Sequence, residues 1–285
     1  MILLDNVQTW LKRARQDDLT KTLSAKDRQL LHEMSDHQLQ HDIEKLFGTP
    51  VGHNETKDYG VIYRWYFATK WMDALSAVKP LAPIRLFEVA PGANDIIPKT
   101  VAQLYTHPQT AYITSNVDKK LTASFKKKTA ELPIKIEVIE DAAQDIEKYV
   151  GDNLFDVVVF EHSVNDVLYA MLGEKAGIDV ANSYWFDIVR QLSDIITVEY
   201  ESGTLEQNAK ADFLTLIQSC LNILKPGGHI IINHFMYEND LKRGINPELW
   251  RDLLVIVREW ICTLDGTEIS KEGFNPQWWM FFKKN

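Results

Sequence analysis

From Ile84 onward the chain keeps one rhythm: a short apolar run, then a stretch with helical spacing. The runs are "IRLFEVA", "TAYITS", "IKIEVIE", "FDVVVFE" and "GGHIIINHF", and "QWWMFFKK" closes the chain. "DVVVF" and "HIIIN" are almost uninterrupted in apolar residues, the pattern of strands buried on both faces. Strands that alternate with helices pair in parallel and carry helices on both sides of the sheet. The rhythm predicts an α/β fold with a doubly wound, mostly parallel sheet.

Residues 1–80 lack this rhythm and read as helices. "SAKD" at Ser24 and "SDHQ" at Ser35 resemble capping boxes, with an acceptor side chain followed three residues later by an acid or amide. A longer helix is expected from about Tyr59 to Val78, after a loop in "GTPVGHNETKDYG". The change of texture divides the chain into an N-terminal helical cap or substrate region, 1–80, and an α/β domain, 81–285. Tyr59, Tyr63, Trp65, Tyr66, Phe67 and Trp71 wrap around the long helix, as core between the two parts would. His37 and His41 share a helix face, but without the acid of an HExxH pattern they read as a solvated face, and no metal is expected. Cys220 and Cys262 lie in apolar helical contexts and are expected as two buried free thiols.

The strand that opens the rhythm ends unusually. In "RLFEVAPGANDIIPKTVAQ" an acid, a Pro-Gly pair and an Asn-Asp pair separate strand from helix, with nothing bulky between. Ligands of doubly wound sheets lie beyond the carboxyl ends of the strands, and a bare turn there lets a ligand approach backbone amides. The turn has one glycine, so it matches neither the GxGxxG of dinucleotide sites nor a GxxxxGK phosphate loop.

"EVAPGAN" resembles the first motif of class I S-adenosylmethionine-dependent methyltransferases: Glu88 matches the acid that ends the first strand and Gly92 the central glycine. Ala90 and Asn94 stand where further glycines are usual, with Pro91 between. "VIEDAAQDI" is similar to the family's third strand end, placing Asp141 and Ala142 beside an adenine. "FDVVVFEHS" looks like the fourth strand, and "LNILKPGGHIIINHF" carries the Leu-Lys-Pro-Gly-Gly entry to the fifth. The resemblance covers about Ile84 to Lys284. It implies a seven-stranded sheet, S-adenosylmethionine as cofactor, and a methyltransferase.

The same resemblance assigns roles. The family usually grips the ribose with an acid at the second strand end; here Ser115 takes that position, followed by Asn116, with Asp118 three residues on. Glu161 would face the cofactor amine or adenine, and His162 is the candidate general base, with a strand-end packing role as its alternative. The helical insertion at about 165–210 sits where such folds vary their acceptor pocket, and with the N-terminal helices it is expected to cap it. The (Asp/Asn/Ser)-Pro-Pro-(Tyr/Phe) motif of base amino methyltransferases and the Pro-Cys of cytosine C5 enzymes are both missing.

Thirty-one basic and 40 acidic residues give a net charge of −9, which disfavours a polyanion as main partner. The resemblance and this balance together imply transfer to an O or N atom of a small molecule, or of a peptide, with nucleic acid less favoured and a homodimer left open. The alternatives are an RNA or protein methyltransferase, or a non-catalytic regulatory subunit that binds the same cofactor. The apolar start "MILL" is too short for a secretory signal and no run of about 18 apolar residues occurs, so a cytoplasmic protein without a membrane partner is expected.

Overall fold

The computed structural model describes residues 7–47, 59–78, 82–152, 154–235, 238, 241 and 244–285. The loop expected in "GTPVGHNETKDYG" lies, but for its last two residues, outside them.

The apolar runs form strands as their patterns require. They are β1 (Arg85–Val89), β2 (Ala111–Ser115), β3 (Lys135–Ile139), β4 (Phe155–Glu161) and β5 (Leu224–Asn233), followed by β6 (Gly266–Glu268) and β7 (Trp279–Lys284). They make one seven-stranded sheet in the order β3-β2-β1-β4-β5-β7-β6. The first five are parallel, and β7 runs antiparallel to both β5 and β6. The order reverses between β1 and β4, so the crevice that a doubly wound sheet offers a ligand opens at their carboxyl ends.

Residue parity decides which flank each strand side chain meets. Leu86, Val157, Val159, Ile231 and Phe281 face a core shared with the N-terminal helices α1 (Val7–Ala14), α2 (Asp17–Thr20), α3 (Ala25–Glu33), α4 (Asp36–Phe47) and α5 (Tyr59–Val78). The helices α6 (Ile96–Leu104) and α7 (Lys119–Thr129) add Ile97, Val101 and Phe125 to this flank. Phe87, Val89, Val158, Phe160 and Ile232 face the other core. There they meet α8 (Val164–Lys175), α9 (Trp185–Glu201), α10 (Leu205–Ile223), α11 (Pro247–Ile261) and a 3-10 helix, Ala143–Lys148.

α5 explains the texture of the N-terminal part. Trp65, Phe67 and Trp71 point in different directions around it, yet all are buried. A helix apolar all round must be covered on every side, and α5 lies between the sheet and the earlier helices. Arg13 grips Asp73 with a two-pronged ion pair of 2.6 and 2.8 Å, tying α1 to it. Ser24 Oγ and Ser35 Oγ each accept a backbone N–H three residues on, as caps do. His37 and His41 are exposed on α4.

At the opposite end of the sheet Asp156 accepts from the Arg85 backbone N–H and pairs with the Lys225 ammonium, so one carboxylate fastens β1, β4 and β5 together. The Pro-Gly-Gly turn is compact for a steric reason. Gly227 has φ of +76°, and a Cβ on Gly228 would stand 2.9 Å from the Lys225 carbonyl oxygen. One expectation needs correction: Cys220 is buried but Cys262 is exposed, because it caps the end of α11 beyond the buried stripe of that helix. No helix of the described residues is long and apolar enough to cross a membrane.

Candidate functional site

The crevice at the tips of β1, β2 and β3 holds a pocket of about 110 Å³. Its floor is the bare turn. Ala90 has φ of +51° and Gly92 of +58°, so the chain leaves β1 through two left-handed residues. For Ala90 that conformation is strained, by about 1–2 kcal/mol. It turns the Ala90 N–H to the Ser115 carbonyl at 3.1 Å, locking the β1 exit to the end of β2. Asn116 completes the lock, donating from Nδ2 to the Gly92 carbonyl at 2.8 Å.

Of the residues singled out in the sequence, Ala90, Gly92, Ser115, Asn116, Asp118, Asp141 and Ala142 line this pocket. Asp118 is engaged on both oxygens. Oδ1 caps α7 through the Lys120 and Leu121 N–H groups, and Oδ2 accepts the Trp185 backbone N–H at 2.9 Å. Asp141 accepts from the Ala142 N–H and the Tyr149 hydroxyl, which hold its carboxyl below the usual range. Both roles would let these acids shape the pocket before any ligand arrives.

Five others lie outside its wall. Pro91 is buried behind the turn, and Asn94 caps α6 by accepting the Ile96 N–H at 3.0 Å. Glu88 and Glu161 have the parity of Leu86 and Val159, so they point to the α5 flank. Glu88 is bonded to the Tyr112 hydroxyl, and burial pushes its carboxyl well up. Glu161 accepts from the Trp71 indole at 2.5 Å and from the Tyr63 hydroxyl. Burial raises it to about 8.

His162, which also lies outside the wall, takes the strand-end packing position given as its alternative. Its ring stacks on His234 at 5.6 Å and meets Trp250, and Nδ1 accepts the Phe235 backbone N–H at 3.3 Å. Burial and His234 keep it well below the ordinary histidine range. A neutral imidazole with its Nδ1 lone pair engaged carries the proton on Nε2 and offers a donor there, not a base. Its φ of +54° marks β4, like β1, as ending in a left-handed residue.

The far wall comes from the helical insertion, expected over an acceptor and found lining this pocket. Asp166, Met171 and Glu174 descend from α8, and Trp185 begins α9 inside the insertion. Asp166 follows β4 directly and was within reach of the motif reading. Trp185 was not, since only tertiary packing brings it back over Asp118. Glu174 is raised by burial and by Asp179. The charged residues of the lining are thus Asp118, Asp141, Asp166 and Glu174, with no lysine, arginine or histidine among them.

The strand order, with its antiparallel β7 inserted between β5 and β6, is that of the class I methyltransferase fold. No family model and no curated protein matches the chain. Among solved structures the chain is similar to a SAM-dependent methyltransferase from Aquifex aeolicus, at 10% identity and a TM-score of 0.44, covering 74% of this chain and 86% of that one. It is similar also to a cyclopropane synthase from Mycobacterium tuberculosis, at 12% identity and 0.43, covering 90% and 73%. A third, from Streptococcus mutans and in complex with SAH, is 18% identical at 0.40 and covers 75% and 97%. All three TM-scores are below 0.5, so the fold class is taken from this chain's own strand order.

Proposed function

We propose that the chain is a methyltransferase that uses S-adenosylmethionine and transfers the methyl group to an O or N atom of a small molecule. The observation that carries this reading is the charge of the pocket. A cleft at the switch point of a doubly wound sheet could hold several nucleotide cofactors. Among the described residues this one is lined by four carboxylates and no cation, which repels the phosphates of a dinucleotide or of ATP and suits an adenosyl group attached to a cationic sulfur.

The chain's residues fit that group. Ser115 and Asn116 offer neutral partners to ribose hydroxyls, Asp141 and Ala142 stand at the far side for the base, and the Ala90–Gly92 turn leaves backbone free for the amino-acid end. The cofactor would supply a methyl group on an electron-poor sulfur, which keeps the bonding pair when an acceptor lone pair takes the methyl. The pocket is smaller than the roughly 300–1,000 Å³ of most small-molecule sites, so a wall must give. Trp185, tethered there through its backbone N–H to Asp118, is the wall on the insertion side.

Calorimetry tests the reading. Heat of binding is expected with S-adenosylmethionine and with S-adenosylhomocysteine, and none with NAD or ATP. Binding of either phosphate ligand in their place would overturn it.

A further inference from the structure

At the tips of β4 and β5, on the α5 flank, Glu161 and Asn233 are buried side by side, with no ion pair to either among the described residues. Glu161 and Asn233 are register partners on the two strands, so their side chains stand next to each other on one face. Asn233 is fully buried, and Glu161 is 4% exposed. Asn233 Nδ2 donates to the Trp278 carbonyl at 3.2 Å, which fixes the amide orientation and leaves Oδ1 as the inward atom. Oδ1 finds no hydrogen-bond partner among the described residues. The described groups that bond Glu161 are the Trp71 indole and the Tyr63 phenol, both neutral.

Two further unmatched acceptors lie just beyond the strands, outside this pair. Asn165 Nδ2 donates to Asp166, orienting its amide, and its buried Oδ1 is likewise unmatched. His234 Nε2 faces the Trp250 carbonyl and must be the N–H, so its buried and unmatched Nδ1 is a lone pair. A buried polar atom left unsatisfied is destabilising. Asn233 Oδ1 is such an atom beside Glu161, whereas His234 has the opposite parity and its ring meets Trp250 in the other core. Aromatic rings close the Glu161 side: Trp71 packs edge-on to Trp279 at 4.9 Å, and Phe235 meets Phe67 at 5.5 Å. An unmatched acceptor beside a buried carboxyl with no cationic partner among the described residues describes a place for a donor-rich cation, whose charge would draw the proton off Glu161.

We infer that the β4 and β5 tips, through Glu161 and Asn233, bind the ammonium group of an amine. This deepens the proposed function, on which it rests for its biological meaning: the small-molecule acceptor is an amine whose ammonium passes one proton to the Glu161 carboxylate, and the freed nitrogen lone pair then takes the methyl while the sulfur keeps the bonding pair. The pairing is specific in kind. An alcohol brings one donor and no charge, whereas an ammonium brings three donors and the missing counter-ion.

The test is NMR of the full chain, following the Trp71 indole N–H, assigned by its loss in Trp71→Phe. Butylammonium should shift that resonance saturably, and butanol should leave it in place. Glu161→Gln should weaken the titration by at least tenfold with the melting temperature checked in parallel. Asn233→Asp, which adds a second carboxylate, should strengthen it. No saturable shift with butylammonium, or an equal one with butanol, overturns the inference. S-adenosylhomocysteine separates the two claims. If it binds and itself produces the Trp71 shift, the subsite holds the cofactor's own amino group, and the acceptor inference falls while the proposed function stands. If it fails to bind while butylammonium shifts the signal, the ammonium subsite stands and the methyltransferase reading falls.

Discussion

Ala90 shows how one methyl group can be costly at a ligand site. Its left-handed backbone is what lets its N–H reach Ser115, and glycine would adopt the same angles without the clash. Ala90→Gly should therefore leave the urea midpoint unchanged or raise stability by up to about 1 kcal/mol, the relief being partly offset by a more flexible unfolded chain. Ala90→Val should lower it by about 1–3 kcal/mol, since a branched residue is least at home there. Glu161 makes a second prediction at this scale. Its folded carboxyl sits at about 8 against an ordinary 4.5, so the folded state holds the extra proton between those values. Its contribution is complete below about pH 4.5 and is lost as pH rises through 8, on the order of a few kcal/mol. Melting followed from pH 5 to 9 should fall more steeply in the wild type than in Glu161→Gln.

At the scale of elements, Asp118 joins two helices that are far apart in sequence. One oxygen starts α7 and the other holds the first residue of α9. Asp118→Ser keeps an N-cap oxygen, so stability should change by less than about 1 kcal/mol, but the second tether is gone. Hydrogen exchange should then show weaker protection of the Trp185 and Asp187 amides with the rest of the molecule unaltered. Loss of protection throughout would instead mean that the acid serves global stability. Legibility in the sequence also divides by element. α5 was readable because twenty residues of helical spacing end at turn signals, and the double-faced strands because their runs are continuous. β6 was not, since Gly-Thr-Glu has neither apolar alternation nor length and owes its place to pairing with β7. In the site, the tips of β1, β2 and β3 were legible as local turn chemistry. The parity that sends Glu88 and Glu161 away from the pocket was written in their strands, but which helices cover each flank was not. His162 shared that fate, because its stacking partners come from β5 and α11.

For the whole molecule the balance of charge matters more than its sum. The net −9 is spread over the chain, while the pocket concentrates four acids around one small space. The basic stretch on α7, which alone could have suggested a polyanion partner, is partly committed: Lys126 pairs with Glu140, and Lys128 reaches the Ala93 carbonyl. Affinity for the cationic cofactor should accordingly weaken as salt rises from about 0.02 to 0.3 M, where screening shortens to a few ångströms. That for the uncharged sulfur of S-adenosylhomocysteine should barely respond. Parallel salt slopes for the two, measured by calorimetry, would show that the carboxylates do not sense the sulfur.

The two cores have one last effect. The pocket opens on the α8 and α10 flank, while Glu161 and Asn233 look toward α5, with the crest of β1 and β4 between them. Groups held on the two flanks can meet only over that crest, so a methyl passed from one to the other would have to cross the bare end of β1.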